Sequence, residues 1–373
     1  MRVLHFYKTS RPDSMGGIEQ VIDQIARGTA GLGVTSEVLS LSDNPGGQAL
    51  DLNGYRVHRA KRDFEIASTG FSVSAFALFG RLAKQVDLVH YHFPWPFMDL
   101  VHFWARPRKP ALVTYHSDII RQKRLLKLYR PLERRFLADV QHIVATSPSY
   151  LASSDVLDRY REKVSVIPIG LEKAAYPQAS DERMRFWRER VGPKFFLFVG
   201  VIRYYKGLHI LLEAASGTDF PIVVVGAGPI ESELRAQAAR LGLAHVHFLG
   251  YLPDEDKVAL LQLSHAIVFP SHLRSEAFGI SLLEGAMYGK PMISSEIGTG
   301  TTFINVDRDT GLVVPPDDPP ALREAMRQLW RDEQEAARMG QRAEQRYWQL
   351  FTAQRMAERY VALYRELTER DGR

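Results

Sequence analysis

Ala266-Ile-Val-Phe-Pro-Ser271 is followed closely by Glu276-Ala-Phe-Gly-Ile-Ser-Leu-Leu-Glu284. The first segment is a short apolar run closed by a proline and reads as a buried strand. The second places two carboxylates eight positions apart, with a glycine between them at what reads as a helix start. Strand, loop and helix N-terminus together make an anion site. The first helical N–H groups lack intrahelical partners, and the helix dipole favours negative charge. A diphosphate fits on the amides of Gly279 and Ile280. The carboxylates would repel it, so they suit sugar diols, because a carboxylate accepts two hydroxyl hydrogen bonds at once. Glu284 lies about 8 Å along a helix from Gly279 at 1.5 Å per residue, which matches the reach from a diphosphate to a ribose. Glu276, ahead of the helix, faces the other end of such a ligand. The stretch predicts a nucleotide-sugar site. Its plain alternative is a pair of solvent-facing helix residues, and the rest of the chain decides between them.

A chain of 373 residues exceeds one ordinary core and implies two domains. Apolar residues at 45% and charged residues at 24% place it among soluble globular proteins. The absence of cysteine excludes disulfides, thiol catalysis and cysteine-ligated metals, and fits a reducing compartment. Met1-Arg-Val-Leu-His-Phe-Tyr-Lys8 enters a strand-like run directly, with no signal-peptide core. No apolar run approaches the roughly 18 residues that span a bilayer. The net charge of +5 suits phosphate ligands, an anionic membrane or nucleic acid alike.

Val3–Tyr7 reads as a first strand, and Gly16-Gly17 opens a helix marked by Ile18, Val21, Ile22, Ile25 and Leu32. Strand, glycine turn and helix begin a doubly wound α/β domain, although the G-x-G-x-x-G dinucleotide fingerprint is missing. Glu37–Leu41, Asp87–Tyr91 and Ala111–Tyr115 continue the parallel pattern. After the second of these, His90-Tyr-His-Phe-Pro-Trp-Pro-Phe97 reads as an aromatic loop, and after the third comes His116-Ser-Asp118. Residues at the carboxyl ends of parallel strands line the ligand crevice. His116 is therefore a candidate polar group at a reacting centre, with Asp118 beside it. From Asp118 to Asp139, Arg121, Lys123, Arg124, Lys127, Arg130, Arg134 and Arg135 interleave with leucines and aromatics. Such a basic amphipathic segment suits an anionic membrane or a phosphorylated acceptor, or is simply a solvated helix face. No nucleic-acid module surrounds it, so nucleic acid is not an expected partner.

Gly170–Ser180 reads as a linker, and the second half repeats the plan. Strand Phe195–Val199 leads into Gly200-Val-Ile-Arg-Tyr-Tyr-Lys-Gly207, where Arg203 and Lys206 stand ready to neutralise a diphosphate. Further strand signals are Pro221–Val225, Val246–Leu249, Met292–Ser295 and Gly311–Val314, and the chain is nearly all helical from Pro319. The two D-x-D patterns, Asp254-Glu-Asp256 and Asp307-Arg-Asp309, read as polar surface rather than as metal ligands.

Taken together, these motifs resemble the retaining glycosyltransferases of family 4, with the GT-B fold. The resemblance rests on Gly16-Gly17, His116, Lys206-Gly207 beyond Gly200, Gly226-Ala-Gly228, Gly250-Tyr251, Glu276…Glu284, Gly289-Lys-Pro-Met-Ile293 and Gly311–Pro315, in that order along nearly the whole chain. It implies two Rossmann-like doubly wound domains facing a cleft. An acceptor-side domain would cover residues 1–170, with a C-terminal helix (353–373) packing back on it, and a donor domain would cover 171–352. It further implies that Glu276 binds the transferred sugar, Glu284 the ribose and Lys206 the diphosphate, and that His116 reaches the donor sugar. Gly16, Gly17, Gly226, Gly250, Tyr251, Phe278, Gly279 and Ile280 would complete the donor site. Many relatives carry Arg where this chain has Val201, so Arg203 would have to supply that charge. Tyr91–Asp99 and Thr114–Gln122 are most similar to bacterial O-polysaccharide mannosyl- and rhamnosyltransferases. Those use GDP-sugars and polyprenyl-diphosphate-linked acceptors at the cytoplasmic face of the inner membrane. With cations and dipoles to hold the leaving group, no metal is expected. A UDP-sugar donor, a nucleotide-sugar epimerase or hydrolase, and a non-catalytic nucleotide-sugar-binding protein remain as alternatives.

Overall fold

The structure, a computed structural model, describes residues 1–119 and 123–371. The chain divides into two compact units, Met1–Gly170 with Ala353–Arg373, and Leu171–Thr352. In the first unit the sheet strands are β1 (Arg2–Phe6), β2 (Thr35–Ser42), β3 (Leu50–Leu52), β4 (Tyr55–Lys61), β7 (Leu88–Phe93), β8 (Ala111–Tyr115), β9 (His142–Ala145) and β10 (Val164–Val166), while β5 (Phe64–Ile66) and β6 (Thr69–Phe71) form a separate hairpin. The sheet order is β10-β9-β8-β7-β1-β2-β4-β3, parallel throughout except where β3 meets β4. The second unit has six parallel strands: β11 (Phe196–Val199), β12 (Ile222–Val225), β13 (Val246–Gly250), β14 (Ala266–Phe269), β15 (Met292–Ser295) and β16 (Gly311–Val314), in the order β13-β12-β11-β14-β15-β16.

Both sheets are doubly wound. The strand order reverses beside β1, which lies between β2 and β7, and beside β11, which lies between β12 and β14. Open α/β sheets bind ligands outside the carboxyl ends of the strands at such switch points. These are the places reached by His116 and by the Lys206 and Glu276 loops. The central strands are apolar on both faces because helices cover both, as in Phe196–Val199 and Ile222–Val225, which are wholly buried. The helix Ala353–Asp371 belongs to the first unit and packs on helix Gly17–Ala30. At that contact a Cβ on Gly28 would stand 2.9 Å from the Ala357 methyl. No described helix is long and apolar enough to cross a membrane.

Three readings need correction. The aromatic stretch from His90 is not a loop: His90 to Phe93 complete β7, and Pro96 begins a helix, Pro96–Ala105. Strand pairing on both sides, to β1 and β8, buries every residue of β7 and extends it past the apolar run. Proline suits the first helical position, where its missing N–H has no partner to lose. The helix over Asp254–Leu263 stands as the sequence predicts, but the surface reading of Asp254–Asp256 fails at Asp256. The pattern forms the first turn of that helix, where acidic groups complement the dipole, and Asp256 is buried and accepts a 2.8 Å bond from the Trp187 indole. Strands β3 to β6 and helix Val73–Ala83 had no counterpart in the sequence reading.

Candidate active site

In the second unit, β11 leads through Gly200 into a short 3-10 turn, Tyr204–Lys206, and then Gly207. Gly207 has φ +70°, and a Cβ there would lie 1.9 Å from the Pro270 carbonyl oxygen. No other residue fits, so the loop after β11 presses on the loop after β14 and delivers Lys206 to Glu276. Their ammonium and carboxylate form an ion pair, and both side chains are mostly buried. Ser271 donates a weak 3.4 Å hydrogen bond to the same oxygen, Glu276 Oε2.

Glu284 is held in a matching way. It lies on helix Ile280–Met287, which follows Gly279 at φ +99° and is tied to β11 by the Ser281 hydroxyl donating to the Val199 carbonyl at 2.7 Å. Gly285 lets that helix settle on β14, since a Cβ would meet the Ile267 side chain at 2.5 Å. Glu284 Oε1 accepts from Lys257 Nζ and from the Tyr176 hydroxyl, each at 3.0 Å. Burial alone would lower the Lys257 pKa, but the Glu284 and Asp254 carboxylates override it and hold the ammonium above its ordinary value. Each glutamate is thus anchored through one oxygen by a lysine and a hydroxyl. Its second oxygen has no protein partner among the described residues. This refines the sequence expectation that both oxygens of each carboxylate are available to a diol. It also changes the place of Lys206, whose charge is already engaged by Glu276. A buried charge requires such a partner.

Around this pair the amides of Gly279 and Ile280 donate to no carbonyl among the described residues, as expected at a helix N-terminus. Arg203 is exposed and its side chain bonds to no described residue; Val201 is exposed as well. Gly226 has a packing reason of its own, because a Cβ there would sit 1.9 Å from the Gly200 carbonyl oxygen. Gly250 ends β13 at φ +70°, beside an irregularity in the β12–β13 register, and Tyr251 beyond it is 79% exposed. The Phe278 ring is buried, 6.3 Å from the Phe351 ring, so its side chain serves the core. Lys257, Tyr176 and Ser271 were missed by the sequence reading.

In the first unit Gly16 caps helix Gly17–Ala30, and a Cβ on it would lie 2.4 Å from a Glu19 carboxylate oxygen. Glu19 folds back to accept from the Thr9 and Ser14 hydroxyls, each at 2.7 Å. His116 follows β8 and is buried, but its polar partner is His92 rather than Asp118. The His116 Nε2 to His92 Nδ1 distance is 3.1 Å, while Asp118 accepts from the Tyr115 and Ser154 hydroxyls at 2.8 Å. His92 Nε2 in turn lies 3.1 Å from His5 Nδ1. His90, in register with His5 on the adjoining strand, bonds to Tyr364 and Thr114 hydroxyls at 2.8 and 2.7 Å, and Thr114 meets Tyr360 at 2.8 Å. Burial lowers the pKa of His5 and of His116 to about 3 and pushes His90 and His92 well below the ordinary value, so all four are neutral.

Two clusters bring three metal-ligating side chains close together, His5 with His90 and His92, and His209 with His272 and Asp317. In the first, the facing nitrogens of His5 and His92 already share a hydrogen bond and both His90 nitrogens are engaged. In the second, His272 meets Asp317 at 2.5 Å through Nδ1 and the Tyr204 carbonyl through Nε2. Neither cluster includes Lys206, Glu276 or Glu284.

Residues 15–174 match Glycosyltransferase Family 4, and residues 180–346 match Glycosyl transferases group 1. The D-rhamnosyltransferase WbpZ of Pseudomonas aeruginosa is 64% identical over 353 residues, spanning 95% of this chain and 93% of that relative. The chain belongs to the family 4 glycosyltransferases. An O-antigen chain mannosyltransferase C of Escherichia coli is 52% identical and covers 99% of both chains. Among solved structures, sucrose-phosphate synthase from Thermosynechococcus elongatus gives a TM-score of 0.81 at 20% identity over 98% of both chains. Anabaena HepE in complex with UDP gives 0.78 at 18% identity, covering 98% of this chain and all of that one. These likenesses establish the GT-B fold of two Rossmann-like domains, and the protein is a glycosyltransferase.

Proposed function

We propose that this glycosyltransferase transfers mannose or rhamnose from a GDP-sugar, with retention at the anomeric carbon, to a polyprenyl-diphosphate-linked glycan in O-antigen synthesis. The observation that carries the donor half is the pair of glutamates before and within helix Ile280–Met287, each locked through one oxygen and keeping the other free of partners among the described residues. In this reading Glu276 takes hydroxyls of the transferred sugar, Glu284 takes the ribose, and the amides of Gly279 and Ile280 receive the diphosphate. Charge on the departing nucleoside diphosphate draws on Lys206 and Arg203 as well as on those amides, so the reaction runs without a metal. His116 contributes a polar contact to the donor sugar. The choice of sugar and the O-antigen context are supported by the names of two relatives, a D-rhamnosyltransferase 64% identical and an O-antigen chain mannosyltransferase 52% identical.

The acceptor side supports a peripheral position at the cytoplasmic face of the inner membrane. Helix Lys123–Asp139 turns Phe136 and Leu137 inward and leaves Lys127, Arg130, Arg134 and Arg135 in solvent. Leu128 on that basic side is 81% exposed and Leu125 is 50% exposed, a pairing that suits an anionic lipid surface. Ile120, Arg121 and Gln122 lie outside the described residues.

Thermal melting with GDP-, UDP- and ADP-sugars tests the donor assignment. A GDP-sugar at a hundred times its Kd should stabilise the folded protein by about 2.7 kcal/mol. A shift with UDP-sugars alone would replace the base. Sugar-nucleotide turnover with no acceptor would favour an epimerase or hydrolase, and binding with no turnover would favour a non-catalytic protein. Activity should survive EDTA; a strict divalent-ion requirement would overturn the metal-free reading. Charge reversal at Lys127, Arg130 and Arg134 should weaken binding to anionic vesicles, and unchanged binding would return this helix to an ordinary solvated face.

A further inference from the structure

His5, His92 and His116 form a hydrogen-bonded chain with one closed end. His5 Nδ1 bonds to His92 Nε2, and His92 Nδ1 bonds to His116 Nε2, each at 3.1 Å. At the far end His5 Nε2 is buried with no partner among the described residues. At the near end His116 Nδ1 bonds to no described residue and is not among the fully enclosed unpartnered atoms. Each ring is neutral and carries one N–H and one lone pair, so each can donate once and accept once. Every link needs one donor and one acceptor, and the whole chain must therefore point one way.

There are two such arrangements. In one, every proton sits on Nε2; His116 Nδ1 is then a bare acceptor, and the dry end of the chain is an N–H with nowhere to go. In the other, every proton sits on Nδ1; His116 then offers an N–H outward, and the dry end is an unused lone pair. An orphaned buried N–H is the rarer and costlier defect. The hydrogen bond on one imidazole nitrogen decides which nitrogen keeps the proton. We propose that His5 and His92 are positioning residues that lock His116 in its Nδ1–H form, so that His116 is a fixed hydrogen-bond donor and not a proton acceptor. The inference rests on the reading of His116 as a group that meets the donor sugar. There it donates to a hydroxyl or ring oxygen. The closed end also rules out a shuttle, because a proton released from His116 has no replacement arriving at His5.

The test uses the full chain labelled with 15N-histidine. Long-range proton–nitrogen correlation of the imidazoles distinguishes protonated from bare nitrogens, and His116→Gln identifies the relevant ring. The expected result is a proton on His116 Nδ1, unchanged from pH 6 to pH 8. A proton on Nε2, or an even mixture, overturns the proposal in the unmodified protein, before any variant has to fold. In His92→Phe the His116 ring should revert toward the Nε2–H form that free histidine prefers. Transfer in that variant should fall at least about tenfold in kcat, which is about 1.4 kcal/mol, with little change in donor KM. In His92→Gln, whose amide can still donate to His116 Nε2, both readouts should recover. A His92→Phe protein that keeps the Nδ1 proton overturns the role given to His92. Full activity in His116→Gln with the Nδ1 proton intact in the parent would instead overturn the catalytic placement of His116 while leaving the tautomer lock supported.

Discussion

At the ends of β7 and β8 the polar groups are imidazoles that bond mainly to one another, whereas at the ends of β11 and β14 they are carboxylates that bond to lysines. Both places are switch points of doubly wound parallel sheets, and both are largely shut off from water. The first solves burial by giving up charge, since four histidines lose their protons there. The second solves it by keeping charge and pairing it. One architecture therefore presents two kinds of surface to a ligand. The neutral one offers direction without net attraction. The paired one offers a charged acceptor to an incoming hydroxyl, because each glutamate keeps one oxygen in reserve.

The largest effect should come from splitting a pair. Glu276→Ala leaves the Lys206 ammonium buried without a partner, which costs about 3–5 kcal/mol of stability in comparable pairs, and it should cut transfer at least tenfold, or about 1.4 kcal/mol. Lys206→Met should do likewise from the other side. The double variant should regain most of the melting temperature and none of the activity. A double variant no more stable than either single one would show that the two charges are independent, and the contrast between the units would fail.

The next effect belongs to the histidines and to acid. His5 and His116 have folded pKa values near 3 against an ordinary 6.5, so the unfolded chain binds protons that the folded chain refuses. The stability from their neutral burial is whole above about pH 6.5. It is lost as pH falls toward 3, at roughly 1.4 kcal/mol per pH unit for each ring. Melting curves from pH 7 to pH 4 should fall steeply in the native protein and less steeply in His5→Phe. Equal slopes would mean that His5 titrates normally. Smallest of all are the hydroxyl anchors. Tyr176→Phe removes one of two bonds to Glu284 Oε1 and should cost about 1 kcal/mol, read as weaker nucleotide binding. Ser271→Ala, whose bond is 3.4 Å long, should cost less.

Much of this was legible in the sequence, for physical reasons that differ from place to place. The parallel strands announce themselves because burial on both faces demands apolar runs, as in Ile222–Val225. Glu276, Glu284 and Lys206 stand out because a glycine turn or a helix start stands beside each of them. The anchors do not. Tyr176 is 108 residues from Glu284, and His5 is 87 from His92, so no local spacing records either contact. Strand β4 hid for another reason. Tyr55-Arg-Val-His-Arg-Ala-Lys61 alternates as a strand with a half-solvated side does, and its charges mask the pattern. Asp256 looked like surface because its partner, Trp187, comes from a helix 69 residues earlier in sequence and next to it in space.

The return of helix Ala353–Asp371 to the first unit has a consequence for how the protein is made. Tyr360 and Tyr364 from that helix supply the hydroxyls that meet Thr114 and His90. Yet about 180 residues separate Gly170 from Ala353. A ribosome adding roughly 5–20 residues per second takes roughly 10–40 s to cover that distance. Throughout that interval the amino-terminal sheet has left the tunnel with its histidine face uncovered, and the other unit is synthesised in the meantime. The first unit is thus begun before the second and finished after it, and its sheet waits on residues synthesised about 180 positions downstream.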